Sequence, residues 1–534
     1  MKRQFLLVFI ICLPVFSFAQ VVYQDLTRTS VYDFLDELAN LKVIEIHSAV
    51  KPYSRELIAQ KLHEAETKSD RLSKRQQKQL AFYLKDYNLE LQKDLSYLKR
   101  KKGVFRKRND LAIPYDPLSF QYKDSIFTFS LRPIYGLEGI INGNGSSYNR
   151  WGGAELFGYV TRHFGFYASL RDNHQEQVLV TPQYITPLEG GSWKMSGNSG
   201  DYSEMRGGIT VAWNWGSVAL LKDHFEWGDS YHGSTILSGR TPSFPYLELK
   251  MNPVKWFSFD YVAGWMVSEV IDSSRTFVVP EGTRKYYFHK FLAASMLTFT
   301  PWKRLDISVG NSVVFCAPYF NPAYLSPFLF FSNFHYKGDS LQTPYYGANS
   351  QLFLNISSRQ IKHLHLYASI FLDQTEHNRM SWKAGFRVSD LLIHNVSLTA
   401  EYTLNQPTVY KYSEPTLTFA SNDYGLGSYL LDNSQEVFAE VDYIPIRGLS
   451  VGVSYLFAER GEDAPYQEDN SVPLLKNLTW NEQGAGVSVR YEFLNNAYVF
   501  MDYMYRQIGG EVQYTPELFR GYTNTLTVGF NIGF

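Results

Sequence analysis

Apolar and polar side chains alternate along this chain in segment after segment from about Ser119 onward. Leu449, Val451, Val453, Tyr455 and Phe457 alternate with Ser450, Gly452 and Ser454. Ala485, Val487, Val489, Tyr491 and Phe493 alternate with Gly486, Ser488, Arg490 and Glu492. The segments beginning at Leu364, Val396 and Val437 repeat the pattern. A period of two predicts strands with one apolar and one polar face. Their lengths suit the roughly 9–11 residues that a tilted strand needs to cross a bilayer. The last ten residues, TLTVGFNIGF, place Leu526, Val528, Phe530, Ile532 and Phe534 on one side and Thr525, Thr527, Gly529, Asn531 and Gly533 on the other. A soluble sandwich also alternates, but an apolar edge strand there would invite aggregation, whereas a closed barrel has no edge. A final strand of this kind, with Phe530, Ile532 and Phe534 on its apolar face, resembles the signal by which the assembly machinery recognises bacterial outer-membrane barrels.

The pattern before Ser119 is helical. Val31, Phe34, Leu35, Leu38 and Ala39 share one face of a helix that Ser30 can cap. Ser54 can cap a second helix with Leu57, Ile58, Leu62 and Ala65 inward. Ser73 with Gln76 matches a capping box for a third, whose stripe is Leu80, Tyr83, Leu84, Tyr87, Leu91, Leu95 and Leu98. This segment is expected to form a small periplasmic helical domain. It ends in Lys99, Arg100, Lys101, Lys102, Arg106, Lys107 and Arg108. Such a run is a solvated helix terminus or a contact for anionic lipid or polymer.

The first residues read as a secretory signal peptide: Met1, Lys2 and Arg3 are followed by an apolar run to Phe18, and Ser17-Phe18-Ala19 precedes a cut before Gln20. Cleavage removes Cys12 and leaves Cys316, which alone forms neither an internal disulfide nor a zinc site. The expected fold is mainly β: a large antiparallel transmembrane barrel of roughly 16–18 strands. Its expected divisions are a signal peptide over residues 1–19, a helical domain over 20–112 and a barrel over 113–534. Aromatic residues make up 16% of the chain, which suits girdles at both interfaces of an outer-membrane barrel in contact with lipid. The net charge of −1 offers no global field for nucleic acid.

The polar faces carry charges of both signs. Glu440, Asp442, Arg490, Glu492, Lys383, Arg387, Asp502 and Arg506 are expected in the lumen, where pairing would occlude it. Long non-alternating stretches, Asp172 to Gly207, Val270 to Tyr286, Pro318 to Gly347, Asn405 to Ser434 and Ala458 to Asn481, are expected as outer loops.

The densest chemistry is KDHFEWGDSYHG, Lys222 to Gly233. Its acids and histidines are of metal-ligand type, but their spacing matches no metal motif. No cofactor is expected. Rings beside carboxylates suit sugars, whose apolar faces stack on aromatics while polar groups take the hydroxyls. The candidate ligand-binding residues are Tyr184, Trp193 and Tyr202 in the first long loop and Asp223, Trp227, Asp229 and Tyr231 in the dense segment. Each ring is equally the type that a girdle needs. Trp213 and Trp215, two apart in a strand-like run, read as girdle residues.

The run VYDFLDELANLKVIEIHSAVKPYSRELIAQKL, Val31 to Leu62, and the segment DHFEWGDSYHGSTILSGRTPSFPYLELK, Asp223 to Lys250, resemble the Wzi family of capsule-assembly outer-membrane proteins. The resemblance implies a large barrel with a periplasmic helical bundle. It also implies a non-catalytic role in holding surface polysaccharide. Two other expectations stand beside it: a channel gated by the helical segment, and a hydrolase using His224, Asp229 and His232.

Overall fold

The computed structural model describes residues 21–91, 95, 104–108, 110–161, 163–280, 282–320, 322–325, 347–373, 378–390, 393–463 and 473–533, the side chains of 104–108 excepted. The expected signal peptide, Phe534 and the side chains of the basic run at 99–108 lie outside the described residues. Three helices come first: α1 (Thr29–Asn40), α2 (Arg55–Glu66) and α3 (Lys74–Leu91). Eighteen antiparallel strands then close into one barrel, from Phe127–Asn142 to Gly521–Ile532. The last strand pairs with the first, from Leu526 opposite Ile141 to Ile532 opposite Tyr135.

Alternation decides which face each strand shows. Leu526 and Val528 point outward and are exposed, whereas Thr523, Thr525 and Asn531 are buried inside. The same inversion of a soluble protein holds for Val437 and Val441, Val487, Val499 and Met501, all exposed. An apolar exterior and a polar interior are what lipid outside and hydrogen-bonding partners inside select. Of the eight charges expected in the lumen, Lys383, Arg387, Asp442 and Arg506 form ion pairs. Lys383 bonds Glu401 at 2.7 Å, Arg387 lies 3.6 Å from Asp442, and Arg506 lies 3.4 Å from Glu482.

Short turns, among them 214–215, 255–256, 303–304 and 447–448, gather at one end of the barrel. The long connections 176–198, 224–243, 267–289 and 406–433 gather at the other. Trp213 and Trp215 meet edge to face at 5.3 Å at the short-turn end, where Trp256 and Trp302 are also exposed, so the girdle expectation fits their place. The loop expected from Asp172 to Gly207 is shorter than its sequence suggests. Strands run on to Gln175 and resume at Ser199, with Asp172 paired to Ser203. The outward Asp201 and Ser203 are polar because the ladder there has no apolar face to present.

The helices have a core of their own, in which Val31, Phe34, Leu35, Leu38, Ile58, Leu62, Leu80, Tyr83 and Tyr87 are buried together. Ser54 Oγ accepts from Leu57 N at 3.1 Å. Ser73 and Gln76 close a reciprocal box, at 2.8 and 3.2 Å. Ser30 is not a cap: α1 begins at Thr29, so Ser30 lies inside its first turn, and no side chain caps it. The bundle does not stand apart from the barrel. It sits against the short-turn end and reaches into the lumen, where Asn40 Nδ2 bonds Ser389 Oγ at 3.1 Å and Asn495 Nδ2 bonds the Phe82 carbonyl at 2.9 Å. Five of the docking ion pairs share a polarity, while Lys51–Glu226, Lys85–Asp116 and His47–Asp306 run the other way. Asp25, Asp33, Asp36, Glu45 and Asp86 from the helical segment meet Arg206, Arg387, Arg359, Arg304 and Arg132 of the wall.

Candidate functional site

The dense segment after Lys222 turns inward from the long-loop end. Glu226 and Trp227 form a two-residue antiparallel ladder with Lys51 and Val50, which come up from the helical segment at the opposite end. Gly228 makes the following bend possible. Its φ is +101°, and a Cβ there would lie 2.9 Å from Ser234 Oγ. The lumen is therefore packed from both mouths. Trp227, Phe225, Val22, Tyr23, Phe353, Phe371 and the loop residues Tyr410, Phe419 and Leu426 belong to one buried cluster.

The seven sequence-predicted ligand residues separate into two groups. Asp223, Trp227, Asp229 and Tyr231 lie in the lumen as fasteners. Trp227 is 1% exposed, with its ring between Phe225 and Phe353. Asp223 accepts from Tyr167 Oη at 2.5 Å and lies 3.3 Å from Arg206. Asp229 accepts from Ser48 Oγ at 2.5 Å and Asn355 Nδ2 at 2.7 Å. Burial raises the Asp229 carboxyl above its ordinary range. Tyr231 donates to Asp36, lies 2.9 Å from His365 Nδ1, and has the Arg387 guanidinium 4.6 Å over its ring. Burial opposes the charge on Asp36, yet Arg359 and its neighbours hold that carboxyl well below the usual range.

The hydrolase candidates are also committed to structure. His224 faces the Gly239 carbonyl at 3.0 Å through Nδ1 and Glu204 at 3.4 Å through Nε2. Two acceptors on one ring favour the imidazolium. Although burial lowers it, Glu189 and Glu204 carry the pKa up to about 9. His232 lies 3.2 Å from Glu436. No nucleophile–base–acid chain joins these residues, and no cluster of three metal-ligating side chains occurs among the described residues.

Tyr184, Trp193 and Tyr202 form the second group, at the long-loop end. The Trp193 and Tyr202 rings meet edge to face, 4.4 Å apart, and all three residues are half-buried. Gly190 and Gly191 let rings approach bare backbone. A Cβ on Gly190 would lie 2.5 Å from the Tyr424 ring, and one on Gly191 3.0 Å from the Tyr202 ring. Tyr424 is the residue that sequence reading missed. It lies in the expected Asn405–Ser434 loop, but which loops meet in space has no local signal. Arg240 ties this cluster to the inserted segment, donating to the Tyr184 carbonyl at 2.8 Å beside the Tyr424 ring. The arrangement is an aromatic shelf with polar neighbours, such as the bonded pair Ser192 and Asn422.

No protein-family model matches the chain, and no curated protein matches it by sequence. Its structure is similar to that of Wzi, an Escherichia coli outer-membrane protein involved in group 1 capsule assembly and described as a carbohydrate-binding β-barrel. The TM-score is 0.57 at 12% identity, covering 97% of this chain and 100% of that one. The resemblance read in the sequence thus stands as a likeness of fold. Weaker overlaps occur with two Pseudomonas aeruginosa structures. OpdK with vanillate gives TM-score 0.43 at 9% identity over 76% of this chain and 98% of that one. OccK7 gives 0.39 at 11% over 76% and 98%. At those scores neither bears on function.

Proposed function

We propose that this chain is a non-catalytic outer-membrane barrel that binds surface polysaccharide at its long-loop end and helps attach it to the cell. The observation that carries the reading is the half-buried Trp193–Tyr202 pair with Tyr184, backed from beneath by the buried Tyr424, on a barrel whose lumen is packed with its own side chains. Rings fixed by packing give a sugar a preformed surface, which reduces the entropy lost on binding. On this reading Asp223, Trp227, Asp229 and Tyr231 support the shelf from below instead of touching the ligand. The description of Wzi as a carbohydrate-binding barrel supports the same direction.

Short turns of such barrels face the periplasm, which puts the helices there and the shelf outside. The apolar exterior meets lipid, and Phe530, Ile532 and Phe534 serve recognition by the assembly machinery. The test compares a deletion strain with its parent for cell-bound and released polysaccharide. Polymer shed into the medium with synthesis unchanged supports attachment. Unchanged retention removes the reading and returns attention to the channel.

A further inference from the structure

A cavity of about 1150 Å³ lies at the short-turn end, between the outer side of α2 and the inner wall of the strands that follow Gly216, Phe244, Phe257, Lys290 and Leu305. Four of the chain's ten tryptophans line it: Trp213, Trp215, Trp256 and Trp302. A girdle accounts for indoles at that level of a barrel. It does not account for Asp260 on the cavity wall.

Asp260 is 8% exposed, and no hydrogen bond from a described residue reaches its carboxylate. The neighbouring acids differ in this respect. Asp306 takes the Thr300 hydroxyl at 2.6 Å and stands 2.9 Å from His47 Nδ1. Glu248 takes the Tyr23 hydroxyl at 2.5 Å and has Lys250 at 3.2 Å. Asp260 faces Lys250 across the ladder, beyond hydrogen-bonding distance, and its carboxylate lines a roomy cavity, so the donors that would bond it come from whatever fills that space.

We infer that this cavity is a second carbohydrate site, on the side opposite the Trp193 shelf, that takes neutral or amine-bearing hexose units. The inference rests on the polysaccharide reading and adds a site to it. Hydroxyl or ammonium groups of a sugar satisfy Asp260, and the turn indole Trp256 covers the C–H face of the ring. At the wall itself a sugar carboxylate would meet Asp260 and Asp306, so the unit seated there is neutral or amine-bearing, while Lys255, Lys303 and Arg304 of the turns also line the cavity. A phospholipid headgroup fits less well, since Asp260 lies on the lumenal face of its strand, with Lys250 and Asp306, and not on the lipid face.

The test uses the full chain in detergent. The probe is oligosaccharides from partial hydrolysis of the producing cell's own surface polysaccharide, followed by calorimetry and tryptophan fluorescence. Two binding phases are expected. Asp260→Asn and Trp256→Ala should each weaken one phase about tenfold or more, as loss of a charged hydrogen bond or a stacked ring does, while Trp193→Ala spares that phase. Trp256 is exposed on a turn, so its variant reads the site without disturbing the core. Unchanged binding by both variants overturns the inference. Loss of all binding in Trp193→Ala alone overturns it and leaves the polysaccharide reading standing. No binding by the unaltered protein removes both. A phospholipid adduct seen by native mass spectrometry and lost in Asp260→Asn assigns the cavity to lipid and also overturns it.

Discussion

Asp86 on α3 and Arg132 on the first barrel strand meet at 2.6 Å with both side chains 2% exposed. The same carboxylate holds Arg28 and Arg55, each at 3.1 Å. Burial disfavours its charge, but the three guanidiniums keep it well below the ordinary carboxylate range. Asp86→Asn would leave three buried cations with one partner fewer. Breaking a buried pair on one side costs roughly 3–5 kcal/mol. The expected outcome is a barrel that still migrates as folded on an unheated gel, with the helical segment cut faster by protease. Equal cleavage rates in variant and parent would show that this cluster does not hold the helices in place.

His224 links stability to pH. Its folded pKa of about 9 lies above the unfolded value near 6.5. The contribution is therefore complete below pH 6.5 and is lost as pH rises through 9, with a ceiling of roughly 3 kcal/mol. Melting of the parent in detergent should fall across this window, and His224→Gln should flatten the fall. Parallel curves for the two proteins would refute the assignment.

The exterior predicts its own sensitivity. Val528 is 48% exposed on the face that meets lipid. Val528→Lys should cost roughly 2–4 kcal/mol when folding is followed into vesicles, the figure for a cation near the midplane. Exposed Tyr522, six residues nearer the long-loop end of the same strand, should tolerate lysine at a smaller cost. Equal penalties would mean that Val528 does not face hydrocarbon.

A lumen packed from both mouths should conduct poorly. Planar bilayers containing the parent are expected to show no large ohmic conductance. Gly228→Ala forces a side chain into a positive-φ bend, a strain of about 1–3 kcal/mol, and should loosen the inserted segment and raise the frequency of openings. Large steady conductance from the parent would instead favour the channel.

The barrel was readable in the sequence because lipid leaves a simple rule: Leu526 and Val528 out, Thr523 and Thr525 in. The second and third helices announced themselves by Ser54 and by Ser73 with Gln76, whose caps are local chemistry. Ser30 misled because nothing near it in sequence shows that the helix begins two residues earlier than a cap there implies, with Arg28 at the cap position. The dense segment at Lys222 to Gly233 was harder. A polar lumen recruits the same acids, histidines and rings as a ligand site, so Asp229 bound to Ser48 and Asn355 has the composition of a binding residue and the position of a structural one. Tyr424, Arg240 and Asp260 acquire meaning only from partners or spaces supplied by distant parts of the chain.

The short ladder between Val50–Lys51 and Glu226–Trp227 joins a segment entered from one mouth to a segment entered from the other. Above it, Arg240 grips the backbone of Tyr184. Below it lie the helices, clamped by their carboxylates to the wall. On the polysaccharide reading, a tug on a polymer held at the long-loop shelf is thus not borne by a surface loop alone. It passes down the axis as tension through backbone hydrogen bonds and is shared by the strands that carry Arg132, Arg206 and Arg387 and the turns that carry Arg304 and Arg359, so the interior acts as a mooring line anchored at the opposite end of the cylinder.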